Sequence, residues 1–150
     1  MRFATPQEDK EIYAVFKKHK AFFPHIRFDY LQRRIRDHEC IYQDGVVINF
    51  STYKKTVCIG TCKIPRNDCM LHQIANGIEG NGKAKEVLNE FQHFIVGVHK
   101  RDLWLSVRAD NIRATKFYEK NGFVAVGSVK WMKGTMDGLI YRYTNAQTIL

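Results

Sequence analysis

The stretch that most constrains this chain is a glycine loop between an apolar strand and a long amphipathic helix. Gly80 and Gly82 stand one residue apart, and residues without a Cβ let the backbone turn tightly and approach a ligand. Residues 70–75, before the loop, have the composition of a strand. After the loop, apolar residues recur at the spacing of one helical face: Ala84, Val87, Leu88, Phe91, Phe94, Ile95 and Val98. The predicted local order is therefore strand, glycine loop, helix.

This order makes the loop a candidate phosphate site. The first amides of a helix have no acceptor within the helix, and the helix dipole adds partial positive charge there. Lys83 and Lys85 add formal charge on the same turn. The alternative is a plain turn, since short glycine motifs have many false positives. The stretch is neither a P-loop nor a dinucleotide fingerprint, because it lacks a closing Gly-Lys-Ser/Thr and a third glycine.

A second motif within residues 106–123 consists of Asn111, Ala114, Phe117, Tyr118, Gly122 and Phe123. With this motif the chain resembles the GNAT superfamily of acyl-CoA-dependent N-acetyltransferases. That family joins a Q/R-x-x-G-x-G/A loop to a strand and then to a helix carrying N-x-x-A-x-x-F-Y-x-x-x-G-F. The second pattern is complete here. The first is present as Glu79, Gly82 and Ala84, with Glu where the family has Gln or Arg. The resemblance covers about residues 68–127.

Length and resemblance together predict a single α/β domain spanning residues 1–150. A chain of 150 residues buries roughly two-thirds of its unfolded surface when it folds as one domain. The resemblance implies a GNAT-like mixed β-sheet flanked by helices on both faces. The element order along the chain, β-α-α-β-β-β-α-β-α-β-β, agrees with such a fold.

Local signals predict where several elements begin and end. Capping boxes at 5–8 and 29–32 predict two helix starts. Asp44-Gly45 between apolar runs predicts a hairpin. Gly122 predicts the end of the second-motif helix, with Phe123 folding back onto it. Residues 131–138 are expected to form a loop or a wide hairpin.

The resemblance implies acetyl-CoA as co-substrate and no metal. The amides of the glycine loop would hold its pyrophosphate, and backbone groups of the preceding strand would pair with its pantetheine arm. Asn111 either bonds to this arm or only caps its helix. The predicted cofactor-binding residues are Ile74, Asn76, Gly80, Asn81, Gly82, Lys83, Ala84, Asn111, Ala114 and Phe117.

Acyl transfer to an amine needs a base for the amine and an acid for the departing thiolate. The resemblance makes Tyr118 the general acid, and the alternative is a tyrosine that only packs in the core. His72 and Asp68 share one predicted strand face, and either could be the base, directly or through water, with His72 as the candidate named here. A packed, hydrogen-bonded histidine is the alternative for His72. Glu79 would repel a pyrophosphate, so we expect it to point away, and weakened binding or a lost activity stays open.

The function predicted is transfer of an acetyl group from acetyl-CoA to a primary amine of a small molecule or protein, by direct attack. The net charge of +9 predicts attraction to polyanions, of which coenzyme A is one. The same charge keeps a nucleic-acid base or an aminoacyl-tRNA open as an alternative acceptor. A non-catalytic binding module with the same fold is the other alternative. The aromatic segment at 22–30 would, by the resemblance, lie near the acceptor pocket.

Composition predicts a cytoplasmic protein without a membrane partner, either a monomer or a homodimer. No apolar run approaches the roughly 18 residues that span a membrane, and residues 1–6 lack a signal-peptide core. The four cysteines form no C-x-x-C pair and no zinc-finger spacing with histidine. We therefore expect free thiols.

Overall fold

The structure is a computed structural model that describes residues 1–144. Its strands are β1 (Cys40–Gln43), β2 (Val46–Thr52), β3 (Val57–Ile59), β4 (Cys62–Ile64), β5 (Cys69–Asn76), β6 (Leu103–Arg108), β7 (Val124–Trp131) and β8 (Met136–Tyr143). Its α-helices are α1 (Asp9–Lys18), α2 (Phe28–Arg36), α3 (Lys83–Gln92) and α4 (Ile112–Lys120). A 3-10 turn at Pro6–Glu8 precedes α1, and a π-helical segment at His93–Val98 follows α3.

Six of the strands form one mixed sheet in the order β1-β2-β5-β6-β8-β7, and β3 and β4 form a separate hairpin. The β5–β6 pair is parallel, joining Cys69 to Leu103 and Met70 to Trp104. The β1–β2, β6–β8 and β7–β8 pairs are antiparallel. The predicted α/β class with a mixed sheet and helices is confirmed. No helix within residues 1–144 is long and apolar enough to cross a membrane.

The chain packs as two compact units, and β5 contributes residues to both. The first unit comprises Met1–Ser51 and Leu71–Phe91. Its α1 and α2 turn their apolar faces onto one buried cluster, as amphipathic helices do. The members of this cluster are Ala4, Ile12, Val15, Phe16, Leu31, Ile35, Cys40, Val47 and Ala75. The assignment of residues 1–150 to one domain stays a prediction.

The second unit comprises Thr52–Met70 and the chain from Gln92 onward. A buried cluster of Ile64, Met70, Trp104 and Ile140 lies within it. Just before β5, Asp68 Oδ2 accepts a hydrogen bond from Trp104 Nε1 at 2.9 Å, and its Oδ1 accepts one from the Asp102 amide at 3.1 Å. Both carboxylate oxygens of Asp68 therefore have structural partners.

The four cysteines are free thiols, as predicted. Cys40 and Cys69 are buried, Cys62 is half-buried and Cys58 is exposed. Burial raises the pKa of the Cys40 thiol to about 12, so this thiol stays protonated and unreactive at neutral pH.

Of the two predicted helix starts, the structure confirms the first and not the second. At the first, the Thr5 amide donates to Glu8 Oε1 at 2.9 Å, and the capping box is present. At the second the prediction is wrong, because α2 begins at Phe28 with Arg27 as its N-cap. The carboxylate of Asp29, which would have capped the helix, is 3.2 Å from the Arg27 Nε instead.

Residues 131–138 form part of the β7–β8 hairpin, which is one of the two structures predicted for them. Trp131 pairs with Met136, and Lys130 pairs with Asp137 both in the ladder and as an ion pair. The chain reverses within residues 132–135, where three consecutive residues have positive φ angles. The ladder therefore continues to Trp131 and Met136, and the ion pair links the two strands beside the turn.

The helix α4 ends at Gly122 in a Schellman motif, as the sequence predicts. Gly122 has a φ of +87°, its amide donates to the Glu119 carbonyl at 3.2 Å, and the Phe123 amide donates to the Tyr118 carbonyl at 3.1 Å. The Phe123 and Tyr118 rings meet edge to face with centroids 5.6 Å apart. This motif fixes the backbone that carries Tyr118.

Replacing Gly122 by alanine is expected to lower the free energy of unfolding by roughly 2 kcal/mol, because a left-handed φ strains any residue with a Cβ. The added Cβ would also lie 2.9 Å from Tyr143 Cε2. Gly134→Ala is the matched control, since Gly134 has the same φ of +87° with no atom within 4 Å of the added Cβ. Urea denaturation of both variants measures how much free energy of unfolding each one loses. Equal losses of stability would show that the contact with Tyr143 does not matter.

Candidate functional site

The glycine loop joins β5 to α3 in the first unit, and the side chain of Asn81 holds it in place. Asn81 Oδ1 accepts hydrogen bonds from Asn76 Nδ2 at 2.7 Å and from the Lys83 amide at 3.0 Å. Asn81 Nδ2 donates to the carbonyl oxygen of Asp44 at 3.3 Å. One side chain therefore ties together the end of β5, the start of α3 and the β1–β2 turn.

Further contacts fix the segment where β5 enters the loop. The Gly77 amide donates to the Gly45 carbonyl at 2.8 Å. At the end of α1, His19 Nε2 lies 2.9 Å from the Asn76 carbonyl oxygen, and Lys18 Nζ donates to the Gly77 carbonyl at 3.4 Å. The path of the loop is therefore set by the β1–β2 turn and by the end of α1.

Gly80 and Gly82 leave open space at the tip of the loop. Their φ angles are +71° and +68°, in the left-handed region that glycine adopts without strain. A Cβ added at either position would meet no atom within 4 Å. The backbone conformation therefore requires glycine here, and the space beside it can receive a ligand group.

The amides at the start of α3 are only partly used by the protein. Helix geometry leaves the first amides of a helix without an acceptor inside the helix. Asn81 satisfies the amide of Lys83. The amides of Gly80, Asn81, Gly82 and Ala84 donate to no group within residues 1–144 and are the remaining loop donors among the predicted residues. Glu79, which departs from the family pattern, is exposed.

β5 carries the other predicted cofactor-binding residues of the first unit. Its ladder with β6 consists of Cys69 and Met70, so Ile74 and Asn76 lie beyond that ladder. Ile74 is half-buried. The side chain of Asn76 also accepts a hydrogen bond from the Ile78 amide at 3.0 Å through its Oδ1. Asn76 is thus committed to shaping the loop by both ends of its amide.

In the second unit, α4 carries the remaining predicted residues. Asn111 is the N-cap, and its Oδ1 accepts a hydrogen bond from the Ala114 amide at 3.1 Å. Of the two roles predicted for Asn111, the structure shows the capping role. The carbonyl of Phe117 accepts a hydrogen bond from Asn121 Nδ2 at 2.7 Å.

Tyr118 lies on α4 between two aromatic rings. The ring centroids of Phe117 and Phe123 are each 5.6 Å from that of Tyr118. Burial raises the pKa of the Tyr118 hydroxyl to about 12, so the hydroxyl keeps its proton at neutral pH. It forms no hydrogen bond with any group of residues 1–144. The structure thus presents a protonated phenol whose donor is not used by the described part of the protein.

His72, the predicted base, lies on β5 beside β2. Its Nε2 is 2.8 Å from Ser51 Oγ. Burial lowers the pKa of His72 to about 4, and the positive charge of Arg34 adds to this effect. The imidazole is therefore neutral at pH 7.

A polar cluster that the sequence analysis did not identify surrounds His72. Gln73 Oε1 accepts hydrogen bonds from Tyr30 Oη at 3.0 Å and from Asn49 Nδ2 at 3.1 Å. Asn49 and Ser51 on β2 thus contact the neighbouring residues Gln73 and His72 of β5. The available signal was the presence of polar residues inside apolar strands.

The aromatic segment expected beside an acceptor pocket packs mainly on α1. The Phe23 ring lies 5.1 Å from that of Phe16, and the Phe28 ring lies 5.3 Å from that of Tyr13. Phe22 is 67% exposed. Its part in acceptor binding stays a prediction.

The sequence pattern of the acetyltransferase (GNAT) family matches residues 12–123. The chain belongs to this family. The predicted resemblance is therefore confirmed, and the acyltransferase class with it at the level of the family. No curated protein matches the chain in sequence.

Solved GNAT structures share the fold across nearly the whole chain. A GNAT acetyltransferase from Bacillus cereus ATCC 10987 superposes with a TM-score of 0.69 at 15% identity, covering 95% of this chain and 94% of its own. Naa20 from Chaetomium thermophilum, in complex with a bisubstrate analogue, gives 0.74 at 11% identity, with 99% and 87% covered. A spermidine N-acetyltransferase SpeG chimera from Vibrio cholerae and hSSAT gives 0.63 at 18% identity, with 99% and 97% covered.

The lowered pKa of His72 predicts a loss of stability in acid. The unfolded chain binds a proton at His72 below its ordinary value of 6.5, whereas the folded protein binds it only below about 4. Stability is therefore complete above pH 6.5 and is lost as the pH falls towards 4, by about 3 kcal/mol in total.

His72→Gln should remove this pH dependence, because the glutamine amide can bond to Ser51 and does not titrate. Urea denaturation of the GNAT protein and of the variant between pH 7 and pH 4.5 measures the effect. The exposed His25, changed to Gln, is the control and should keep the wild-type slope. A His72→Gln variant with the wild-type slope would contradict the assignment.

Proposed function

We propose that this GNAT protein transfers an acetyl group from acetyl-CoA to a primary amine by direct attack, with no covalent enzyme intermediate. The observation that carries the proposal is the glycine loop that Asn81 holds open between β5 and α3 in a chain of this family. One of the similar structures supports an amine acceptor, since it is a spermidine N-acetyltransferase chimera, and a second, Naa20, is in complex with a bisubstrate analogue.

The loop fits a pyrophosphate by the chemistry of its donors. A Cβ added at Gly80 or Gly82 would meet no atom within 4 Å, so the loop has room for a ligand group, and the dipole of α3 favours an anion there. Lys85, exposed on the first turn of α3, adds positive charge. Gly80 supplies the turn, and Asn81 and Lys83 keep it in shape through their hydrogen bond. When bound, acetyl-CoA supplies an activated acetyl thioester.

The pantetheine arm is proposed to pair with backbone groups of Ile74 and Asn76, which lie beyond the β5–β6 ladder. The Asn76 carbonyl oxygen also lies 2.9 Å from His19 Nε2. On α4, Asn111 uses its Oδ1 for the helix cap, which leaves its Nδ2 as a donor. Ala114 and Phe117, on the same helix, stay predicted cofactor-binding residues.

Tyr118 is proposed to donate its hydroxyl proton toward the departing sulfur. Its raised pKa of about 12 keeps the donor form present throughout the neutral range. A thiol has an ordinary pKa of about 8.5, so complete transfer of the proton would be uphill. The hydroxyl therefore acts mainly by hydrogen bonding to the sulfur as negative charge develops there, and solvent completes the protonation.

His72 is proposed to bind the acceptor by hydrogen bonding and not to act as a strong base. An alkylammonium ion has a pKa near 10.4, and the pKa of His72 is about 4. Moving a proton over this gap would cost about 9 kcal/mol. The amine is therefore expected to lose its proton to water before attack, and the reaction should accelerate with pH until the amine is fully deprotonated.

Tyr118→Phe should lower kcat by about tenfold or more, because the sulfur loses its hydrogen-bond donor, while the affinity for acetyl-CoA stays within about twofold. Release of coenzyme A with a panel of primary amines measures turnover, and isothermal titration measures affinity. Tyr42→Phe, on β1, is the matched control and should keep wild-type turnover.

The proposal has two distinct ways to fail. An unchanged kcat for Tyr118→Phe would remove this hydroxyl from the reaction and leave the transferase activity standing. A wild-type protein that releases no coenzyme A with any amine would remove the activity itself.

A further inference from the structure

The polar cluster beside β5 has a chemical character that points to a substrate class. We call it the Gln73 cluster, and its members are Tyr30, Arg34, Asn49, Ser51, His72 and Gln73. All six belong to the first unit. Five are half-buried and within reach of solvent, and Asn49 is fully buried. The proposed function does not by itself explain this arrangement.

Gln73 is held so that its amide nitrogen faces outward. Its Oε1 accepts two hydrogen bonds, from Tyr30 and from Asn49, which fills both lone pairs of an amide oxygen. Its two side-chain hydrogen bonds both end on Oε1, and Nε2 donates to no group within residues 1–144. Two N–H donors are thus presented in a fixed direction.

Asn49 donates to Gln73 through its Nδ2, and in this orientation its own Oδ1 is left without a hydrogen bond within residues 1–144. It is 0% exposed, and its Oδ1 has no hydrogen-bond partner among the described residues. A buried acceptor without a partner is unfavourable and calls for an explanation. Its Nδ2 holds Gln73 in place, so Asn49 acts as a positioning residue for the Gln73 amide.

Ser51 and His72 leave a further donor. The Ser51 hydroxyl has one O–H and the neutral His72 ring has one N–H. The single contact between Ser51 Oγ and His72 Nε2 uses one of these two hydrogens. Whichever group donates in that contact, the other hydrogen remains available. The pair therefore adds a donor to the cluster in either tautomer.

Arg34 supplies the positive charge of the cluster. Its Nη1 donates to Glu39 Oε1 at 2.8 Å and to the Phe50 carbonyl at 3.3 Å, and its Cζ lies 5.1 Å from the Tyr30 ring centroid. These contacts hold the guanidinium in one position and use only one of its three nitrogens. Its charge reaches His72, whose pKa it helps to lower.

We propose that the Gln73 cluster binds the carboxylate of the acceptor, so that the substrates are amines that carry a carboxylate, as amino acids do. This inference rests on the proposed function. A carboxylate offers only acceptors, and it matches the donors of Gln73 and of the Ser51–His72 pair and the remaining N–H groups of Arg34, whose Nη1 is paired with Glu39. A second ammonium group, as in a diamine or polyamine, would bring donors to the Gln73 donors and a like charge to Arg34.

Nuclear magnetic resonance of the wild-type protein tests the binding directly. Gln73→Glu identifies the Gln73 side-chain resonance by its disappearance from the 15N spectrum. Glycine, β-alanine and 4-aminobutyrate are titrated beside their amides and the diamines of equal length. We expect at least one carboxylate to shift the Gln73 resonance saturably while its diamine does not. No shift with any carboxylate, or an equal shift with the diamine, overturns the inference.

Turnover gives the second measurement. The carboxylate of Gln73→Glu can still accept from Tyr30 and Asn49, so the fold is retained, but it presents an anion where the amide donors stood. The ratio of kcat/KM for the carboxylate amine to that for the diamine should fall by about tenfold or more. Gln7→Glu, the same change at an exposed residue of the 3-10 turn, should leave the ratio unchanged. A ratio unaltered in Gln73→Glu overturns the inference.

The two failures are distinguishable. Acetylation of amines without preference for a carboxylate rejects the substrate class and keeps the transferase. A saturable shift of Gln73 without acetylation of any amine keeps the carboxylate site and rejects the transferase.

Discussion

The hydrogen bonds of Asn81 are the constraint on which the candidate cofactor site depends. A glycine loop has little conformational preference of its own, and a loop that sampled many conformations would lose entropy on binding a ligand. Asn81 removes that freedom by bonding at once to Asn76, Lys83 and Asp44. The start of α3, with its dipole and its amides, is thereby held in a fixed place relative to β5.

Burial sets the protonation states of the two groups with predicted catalytic roles. It raises the pKa of Tyr118 to about 12 and lowers that of His72 to about 4. Both shifts favour the neutral form, because removal from water penalises the charged one. Both groups are consequently uncharged over the whole neutral range. This state suits hydrogen-bond donation to a developing charge better than proton transfer over a large pKa gap.

Features determined by neighbouring residues could be predicted from the sequence. The Schellman motif at Gly122, the hairpin at Asp44-Gly45 and the cap of α4 each depend on a few consecutive residues. The prediction of a capping box at 29–32 was wrong, because α2 begins at Phe28 and the Asp29 carboxylate forms an ion pair with Arg27, two residues before it. The hydrogen bonds of Asn81 that brace the glycine loop and those of the Gln73 cluster join partners far apart in the chain. Examples are Asp44 with Asn81 and Asn49 with Gln73. No local pattern brings such residues together.

The central claim is that the braced loop holds the pyrophosphate of acetyl-CoA, and a comparison of two ligands tests it most directly. Isothermal titration would measure the affinity of the protein for acetyl-CoA and for acetylpantetheine, which has the same thioester and no pyrophosphate. The account predicts that acetyl-CoA binds on the order of 100-fold more tightly, about 2.7 kcal/mol. It also predicts that this advantage shrinks as salt rises. Equal affinities for the two ligands, or no binding of acetyl-CoA, would contradict the account.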